Sequence, residues 1–323
     1  MFFYQDITLH TALMGFGVLA ALIILNEIGR ARKWTGIAMF IILPAVLTVA
    51  LWPKTAGPGT SMNDWFHWAK VYSALTGCIG FMAIRFIPKL QKNKWALAFP
   101  PLILSINICE AVFRDFQVST FHGLGLHDGM MMVGGSWNIM NGIAGILNIV
   151  TITGWLGIYA GKGKSKDMIW ADQLWFWIIA YDLWNYAYTY NCLPDHSFYC
   201  GVALLLACTI PTFIIKKGAW LQHRAQTLAI WCMFAMTCPS FIDTSKYAVH
   251  SSHNPAALFI VSFIALVFNA GVLLFEIKTY MMTGLKGWRG KEMYIYLDSY
   301  QDVVAATKET GVKNAALEPV AAK

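Results

Sequence analysis

Long apolar segments, separated by short basic loops, constrain this chain more than any other feature of its sequence. A window of about 19 residues finds nine such segments. They cover approximately residues 7–28, 35–52, 67–87, 95–115, 138–160, 169–190, 198–216, 219–240 and 256–278. A hydrocarbon core about 30 Å thick needs about 20 apolar residues in a helix, and lipid leaves no water to satisfy the backbone of open structures. The sequence therefore predicts an all-α, polytopic transmembrane helix bundle with nine spans.

The composition supports this class. Of the 323 residues, 57% are hydrophobic and 13% are charged, whereas about a quarter of residues are charged in soluble domains. The net charge of +7 comes from short Lys and Arg clusters between apolar segments, not from a basic patch with interleaved aromatics. We therefore expect a multi-pass protein of a plasma or inner membrane, in contact with the lipid bilayer and not with nucleic acid.

Basic residues are distributed unequally between alternate loops. Twenty of the 24 Lys and Arg residues fall on one side of a nine-span arrangement. The other side holds Lys54, Lys70, Arg114 and Lys246. The positive-inside rule then places the N-terminus outside and the C-terminus in the cytoplasm. Eight or ten spans would require one loop to be misassigned, so the charge bias favours nine.

The chain divides by composition into two regions. Residues 1–291 are predicted to form the transmembrane domain, and residues 292–323 a polar, Ala-rich cytoplasmic tail that is largely disordered. The first ten residues contain no Lys or Arg, so we expect the first span to be retained and not cleaved as a signal peptide.

Two outer segments invite specific expectations. The Gly-rich stretch 116–137 is long for a loop and is predicted to be a lid, a binding loop or a re-entrant segment. Cys192 and Cys200 lie in one short outer loop, so a disulfide between them is reasonable if that side is oxidising. The alternative is a pair of free thiols.

Span four carries three polar residues on one helical face. Asn107, Glu110 and Arg114 are spaced i, i+3 and i+7, which aligns them along the helix. Such a face can line a pocket. The alternative is a Glu110–Arg114 pair that merely neutralises itself near the membrane interface.

Spans five and six carry further polar stripes. Asn138 and Asn141 lie beside small residues in span five, a composition that also fits structural hydrogen bonding between closely packed helices. In span six, Asp182 shares a face with Asn185 and Tyr186. A carboxylate within a span is costly and is a functional-site hypothesis by default.

Glu110 and Asp182 are predicted to lie at similar depths below the outer membrane surface. At about 1.5 Å per residue, Glu110 lies about 8 Å and Asp182 about 12 Å below the outer ends of their spans. The sequence thus predicts a polar pocket in the outer half of the bilayer, built from spans four, five and six. Its predicted ionisable centre is Glu110 and Asp182, and its predicted ligand-binding residues are Asn107, Arg114, Asn138, Asn141, Asn185 and Tyr186.

No recognised motif specifies a reaction. The sequence lacks a Gly-rich nucleotide fingerprint, a P-loop and an H-E-x-x-H helix. The spacing of His250 and His253 is feasible for a metal but lacks the partners that would make it specific, so no metal or cofactor is predicted.

Three functions remain open. The first is a proton- or cation-linked transporter of a small amphipathic molecule, with Asp182 carrying the proton. The second is a membrane-embedded enzyme in which Glu110 and Asp182 act as an acid–base pair on a lipid-like substrate. The third is a structural scaffold. The absence of catalytic motifs favours the transporter.

Overall fold

The computed structural model describes residues 2–5, 7–63 and 65–308. Within these residues the chain is mostly helical, and long helices coincide with the nine predicted apolar segments. They are α1 (Leu9–Ala31), α2 (Lys33–Ala50), α3 (Trp65–Phe86), α4 (Lys94–Val118), α5 (Ser136–Val150), α6 (Trp175–Cys192), α7 (Phe198–Ile214), α8 (Trp220–Thr237) and α9 (Pro255–Thr283). A tenth helix, α10 (Asp298–Thr307), follows them.

Four of these helices, α1, α2, α4 and α9, are long and apolar enough to cross a membrane. The helix α7 is apolar but shorter. The helices α3, α5, α6 and α8 carry more polar residues or have fewer turns. The described chain is therefore mostly helical, with four candidate membrane-spanning helices typical of a membrane protein, while the count of nine spans and the orientation remain predictions.

Short elements connect the helices. Single helical turns lie at Trp52–Thr55, Pro88–Gln91 and Ser240–Asp243, and 3₁₀ turns at Trp155–Gly157 and Gly287–Arg289. Two antiparallel hairpins pair β1 (Gly125–His127) with β2 (Met130–Met132) and β3 (Tyr159–Ala160) with β4 (Met168–Ile169). Stretches of π-helix occur within α2 at Ala38–Ile42 and within α7 at Phe198–Ala203.

Residues of the stretch 116–137 form an ordered hairpin, not a long structureless loop. Asp128 and Gly129 form its two-residue turn with φ values of 50° and 78°, and Asp-Gly is a residue pair that favours such turns. Met130 and Met132 are buried against the bundle. The hairpin is therefore a packed part of the fold.

The described part of the C-terminal region is also folded. Helix α10 packs beside Met293 and Tyr294, both of which are buried. The carboxylate of Asp172 accepts backbone N–H groups from these two residues at 3.0 and 2.9 Å. The expected disorder is thus absent from residues 292–308, and the rest of the predicted tail, 309–323, lies outside the described residues.

The proposed disulfide between Cys192 and Cys200 does not form, since both are free thiols. Cys192 lies at the end of α6, where its Sγ donates to a carboxylate oxygen of Asp115 at 3.3 Å. Cys200 lies in the π-helical stretch of α7. The sequence interpretation placed both residues in a loop, whereas the helices extend to include them.

Candidate functional site

A cavity lies inside the bundle, between α3, α4, α6, α7 and α8. The space between its wall atoms is about 1020 Å³ when the open solvent at its mouth is included, and the centres of water-sized molecules can occupy about 100 Å³ of it. Aromatic and aliphatic side chains form most of its wall, among them Phe66, Phe81, Leu104, Leu228 and Trp231. An apolar cleft with a few convergent polar groups is the usual form of a small-molecule site.

Small residues and an irregular helix form part of the wall of this cavity. A Cβ on Gly77 in α3 would lie 3.7 Å from the Cβ of Ala225 in α8, so the two helices meet closely here. Near the other end of the cavity, the π-helical stretch of α7 brings Cys200 to the wall. Such π-helical interruptions occur frequently at functional sites.

Lys70 of α3 supplies one positive charge to the wall. Its Nζ lies 2.9 Å from Oε2 of Glu110 and 3.3 Å from Oδ1 of Asn107, both on α4. Ser73 also donates to the Asn107 amide oxygen, at 3.3 Å. Glu110, the acid predicted in span four, therefore balances the charge of Lys70.

Arg224 of α8 supplies the second positive charge, and it is balanced differently. The residue is 6% exposed. Its Nη2 donates to Oδ1 of Asn185 at 3.2 Å, and its Nε donates to the hydroxyl of Tyr181 at 3.4 Å. Nη1 is buried without a hydrogen-bond partner. Among the described residues no carboxylate lies within 4 Å of this guanidinium.

Two histidines lie at the end of the cavity where α3 begins. The rings of His67 and His196 have centroids 5.8 Å apart, and Nε2 of His196 lies 3.5 Å from Oδ1 of Asp243. Burial lowers the pKa of His196 and outweighs the opposing effect of Asp243. His196 is therefore neutral over most of the physiological pH range.

Asp182, the predicted proton carrier, lies behind the cavity wall. It is not among the lining residues. Its Oδ2 accepts a hydrogen bond from the Thr209 hydroxyl of α7 at 2.6 Å, while Oδ1 is buried without a partner. Asp182 and Arg224 interact electrostatically from beyond ion-pair distance.

Asp115 is a buried carboxylate that sequence reasoning missed. It is fully buried near the end of α4. Its oxygens accept from Nδ2 of Asn138 at 3.1 Å and from Nδ2 of Asn141 at 2.7 Å. These two predicted ligand-binding residues are thus occupied with Asp115 and do not line the cavity. The stripe of Asn residues in span five indicated that a polar partner such as Asp115 lies next to it.

Two further predicted site residues also lie elsewhere. Arg114 forms an ion pair with Asp128 of the hairpin turn, so its predicted pairing with Glu110 is wrong. The physical reason is that Lys70 approaches Glu110 from a neighbouring helix. The Tyr186 hydroxyl accepts from that of Tyr4 at 3.2 Å, in contact with the N-terminal segment.

The cavity therefore contains two of the predicted residues, Asn107 and Asn185, and is centred on helices α3 and α8 that the prediction left out. From the sequence, Arg224 was predicted to be one of the 20 basic residues on the cytoplasmic side. A signal was present, because the run Gln222 to Gln226 introduces polar residues at the start of an otherwise apolar segment. In the described part of the chain no group of three or more His, Cys, Asp or Glu side chains is arranged to hold a metal.

The sequence from residue 5 to 306 matches a family described as a family of unknown function, DUF5692. The chain belongs to this family. No curated protein and no solved structure matches it. The DUF5692 match spans all nine long helices and nearly all of α10, so the cavity, the Asp115 cluster and the folded C-terminal segment all fall within it.

Proposed function

We propose that this DUF5692 protein is a transporter that binds a small amphipathic molecule in the cavity and carries it across a plasma or inner membrane, linked to a proton. The proposal includes nine spans, with the N-terminus outside and the C-terminus in the cytoplasm. The single observation that supports it most is the mainly apolar cavity within the helix bundle, with Lys70, Asn107, Asn185 and Arg224 on its wall.

The geometry favours a route from the end where α3 begins. His67 and His196 lie there, and the basic-residue bias predicts that this end faces outside. Arg224 lies deeper: it is next to Ala225, which faces Gly77, seven residues along α3 from Lys70. At about 1.5 Å per residue this is roughly 10 Å further into the bundle. A ligand thus meets polar groups at two depths.

Asp182 is the proposed proton carrier. Its Oδ1 lacks a partner, and no cation lies within ion-pair distance among the described residues. The titratable or charged groups that interact with it are Tyr181 of α6, Cys208 of α7 and Arg224 of α8. An intramembrane carboxylate without an ion pair is well placed to gain and lose a proton.

The enzyme hypothesis has less support. It requires Glu110 and Asp182 to act on one substrate, but Glu110 is bound to Lys70 on the α3 side and Asp182 to Thr209 on the α7 side. The scaffold hypothesis gives no reason for a cavity with buried polar groups on its wall. The transporter is therefore the function that the geometry favours.

Transport is tested in proteoliposomes with three decyl amphiphiles whose head groups do not titrate: decanesulfonate, decyltrimethylammonium and decyl glucoside, each below its micellar concentration. We expect wild-type protein to take up at least one of them faster than protein-free liposomes do, and an inward proton gradient to increase that uptake. We expect Asp182→Asn to abolish the effect of the gradient. The matched control is Asp302→Asn, which alters an exposed carboxylate on α10.

Two results would contradict the proposal at different levels. If Asp182→Asn responds to the gradient as the wild type does, Asp182 is not the proton carrier. If none of the probes enters faster than into protein-free liposomes, the protein is not a transporter of this class.

A further inference from the structure

We infer that the cavity selects an amphipathic anion, and that Arg224 is the residue that binds its head group. This inference rests on the proposed function and narrows its substrate to one charge class: a molecule with an apolar body and a single anionic group, such as a carboxylate, sulfonate or phosphate.

The two cations of the cavity wall, Lys70 and Arg224, differ in how their charge is balanced. Glu110 compensates Lys70 at 2.9 Å. Arg224 has only neutral hydrogen-bond partners, Tyr181 and Asn185, and no carboxylate within 4 Å among the described residues. Asp182 and Asp115 are not lining residues. Of these two wall cations, Arg224 is therefore the one without an ion-pair partner among the described residues.

Burial of the Arg224 guanidinium costs free energy. An arginine that is 6% exposed within a helix bundle loses its hydration, and an unpaired buried charge is strongly unfavourable. The face of Tyr181, with its centroid 5.9 Å from the guanidinium carbon, offsets a small part of this cost. Asp182 offsets a further part from beyond ion-pair distance, but Nη1 of Arg224 still has no hydrogen-bond partner.

Arg224 has one guanidinium nitrogen that makes no hydrogen bond within the described chain. Nη2 and Nε are engaged with Asn185 and Tyr181, which fixes the guanidinium plane, and Nη1 is the nitrogen left without a partner. Arg224 lines the cavity. A guanidinium held in place by two neutral groups with free N–H donors is suited to one oxyanion.

Apolar side chains line the cavity near Arg224. Leu221, Leu228 and Trp231 continue along the same helix as Arg224 and line the cavity. An anion bound at Arg224 would therefore have Leu228 and Trp231 on the side toward the histidines, where Lys70 and Asn107 also line the cavity. This arrangement fits a molecule with a hydrophobic tail better than a free inorganic anion.

The inference is tested by equilibrium binding to the purified full-length protein, with radiolabelled decanesulfonate competed by unlabelled ligands. We expect decanesulfonate to bind at least about tenfold more tightly than decyl glucoside or decyltrimethylammonium, as one charge-assisted hydrogen bond implies. We also expect methanesulfonate, which lacks the tail, to compete at least about tenfold more weakly.

Variants assign the preference to one residue. Arg224→Gln should reduce the preference for decanesulfonate at least tenfold, and Arg224→Lys should restore part of it. Asn185→Asp keeps the arginine but places a carboxylate beside it, and should also abolish the preference. This second variant tests the inference even if Arg224→Gln does not fold. The control Arg289→Gln, at an exposed position that does not line the cavity, should bind as the wild type does.

The outcomes distinguish this inference from the proposed function. If decyl glucoside binds as tightly as decanesulfonate, or if Arg224→Gln and Asn185→Asp leave a preference unchanged, the anion selectivity is refuted while the amphipathic cavity stands. If methanesulfonate competes as well as decanesulfonate, the ligand is a free anion and the amphipathic class is refuted. If no probe binds, both proposals fail.

Discussion

Asp167 shows how a buried charge is stabilised at the opposite end of the bundle from the cavity histidines. Its side chain is fully buried between β3 and β4 residues and the ends of α1 and α3, 2.9 Å from Nη1 of Arg30 and 3.8 Å from Nη2 of Arg85. Gln222 also donates to it, at 2.9 Å. Burial acts to raise the pKa of this carboxyl, but Arg30, Ser165 and the other partners outweigh it, so the pKa is lowered.

Replacement of this carboxylate should destabilise the fold. Asp167→Asn leaves the buried Arg85 without a carboxylate partner among the described residues and leaves Arg30 with Glu27 alone, and we expect a loss of about 3–5 kcal/mol at neutral pH. Because the folded-state pKa lies below the unfolded value, the contribution of Asp167 is present above the unfolded pKa and is lost as pH falls through the folded one. Thermal unfolding of detergent-purified protein at several pH values measures this.

Asp302→Asn is the matched control, because its exposed pair with Lys217 should contribute little. The account predicts that wild type and Asp167→Asn differ at neutral pH and converge at strongly acidic pH. A difference that stays constant across this range would show that the ion pair is not the cause.

The surroundings of a single residue could be predicted only where they do not depend on which neighbouring helix supplies its hydrogen-bond or ion-pair partner. Asn107 and Asn185 could be placed on the wall of a cavity because amides within apolar helices seek polar surroundings. Arg114 could not be placed, since spacing along one helix does not show which neighbouring helix approaches. Lys70 competes for the same carboxylate from α3, and only the packing of the bundle reveals it.

At the scale of elements, glycine at helix contacts determines how closely the helices approach. A Cβ on Gly145 of α5 would lie 2.4 Å from Cγ2 of Val112 in α4 and 2.6 Å from Nε1 of Trp184 in α6. The three helices are thus held together around a position with no side chain. Gly271 of α9 is the opposite case, because a Cβ there would meet nothing within 4 Å.

The two glycines form a matched pair of tests. Gly145→Ala should destabilise the protein by about 1–3 kcal/mol, since methyl insertion into a close contact forces the neighbouring helices apart. Gly271→Ala makes the same chemical change in a helix without a clash and should cause no loss of stability. Thermal midpoints of both variants in one detergent measure the difference. Equal shifts in the two variants would contradict the packing described for α5.

The positions of helices could be predicted better than their ends. Apolar segments of about 20 residues mark the nine long helices, but span five was predicted to reach residue 160, whereas α5 ends at Val150. A left-handed Gly154, with φ of 66°, soon follows. The hairpin was missed although its turn, Asp128–Gly129, is a recognised signal, because its strands have only three residues each.

At the scale of the whole molecule, the site depends on contacts between elements that are distant in sequence. The cavity is enclosed because α3 packs against α8 and α6 lies beside α4 and α7. Hydrophobic periodicity does not encode this order of helices, so the prediction assigned the pocket to spans four, five and six. The fold class could be read from composition and segment length, but the enclosure of the site could not.

The most direct test of the central claim is the chemical accessibility of Cys232, a native cavity residue. A variant that retains only this cysteine is treated in sealed, right-side-out vesicles with a membrane-impermeant methanethiosulfonate reagent. The control is a protein whose only cysteine is Lys164→Cys, in the predicted cytoplasmic loop. The account predicts that Cys232 is modified from outside, that decanesulfonate slows its modification, and that the control reacts only after permeabilisation. Modification of Cys232 only after permeabilisation, or at a rate that none of the decyl probes changes, would contradict it.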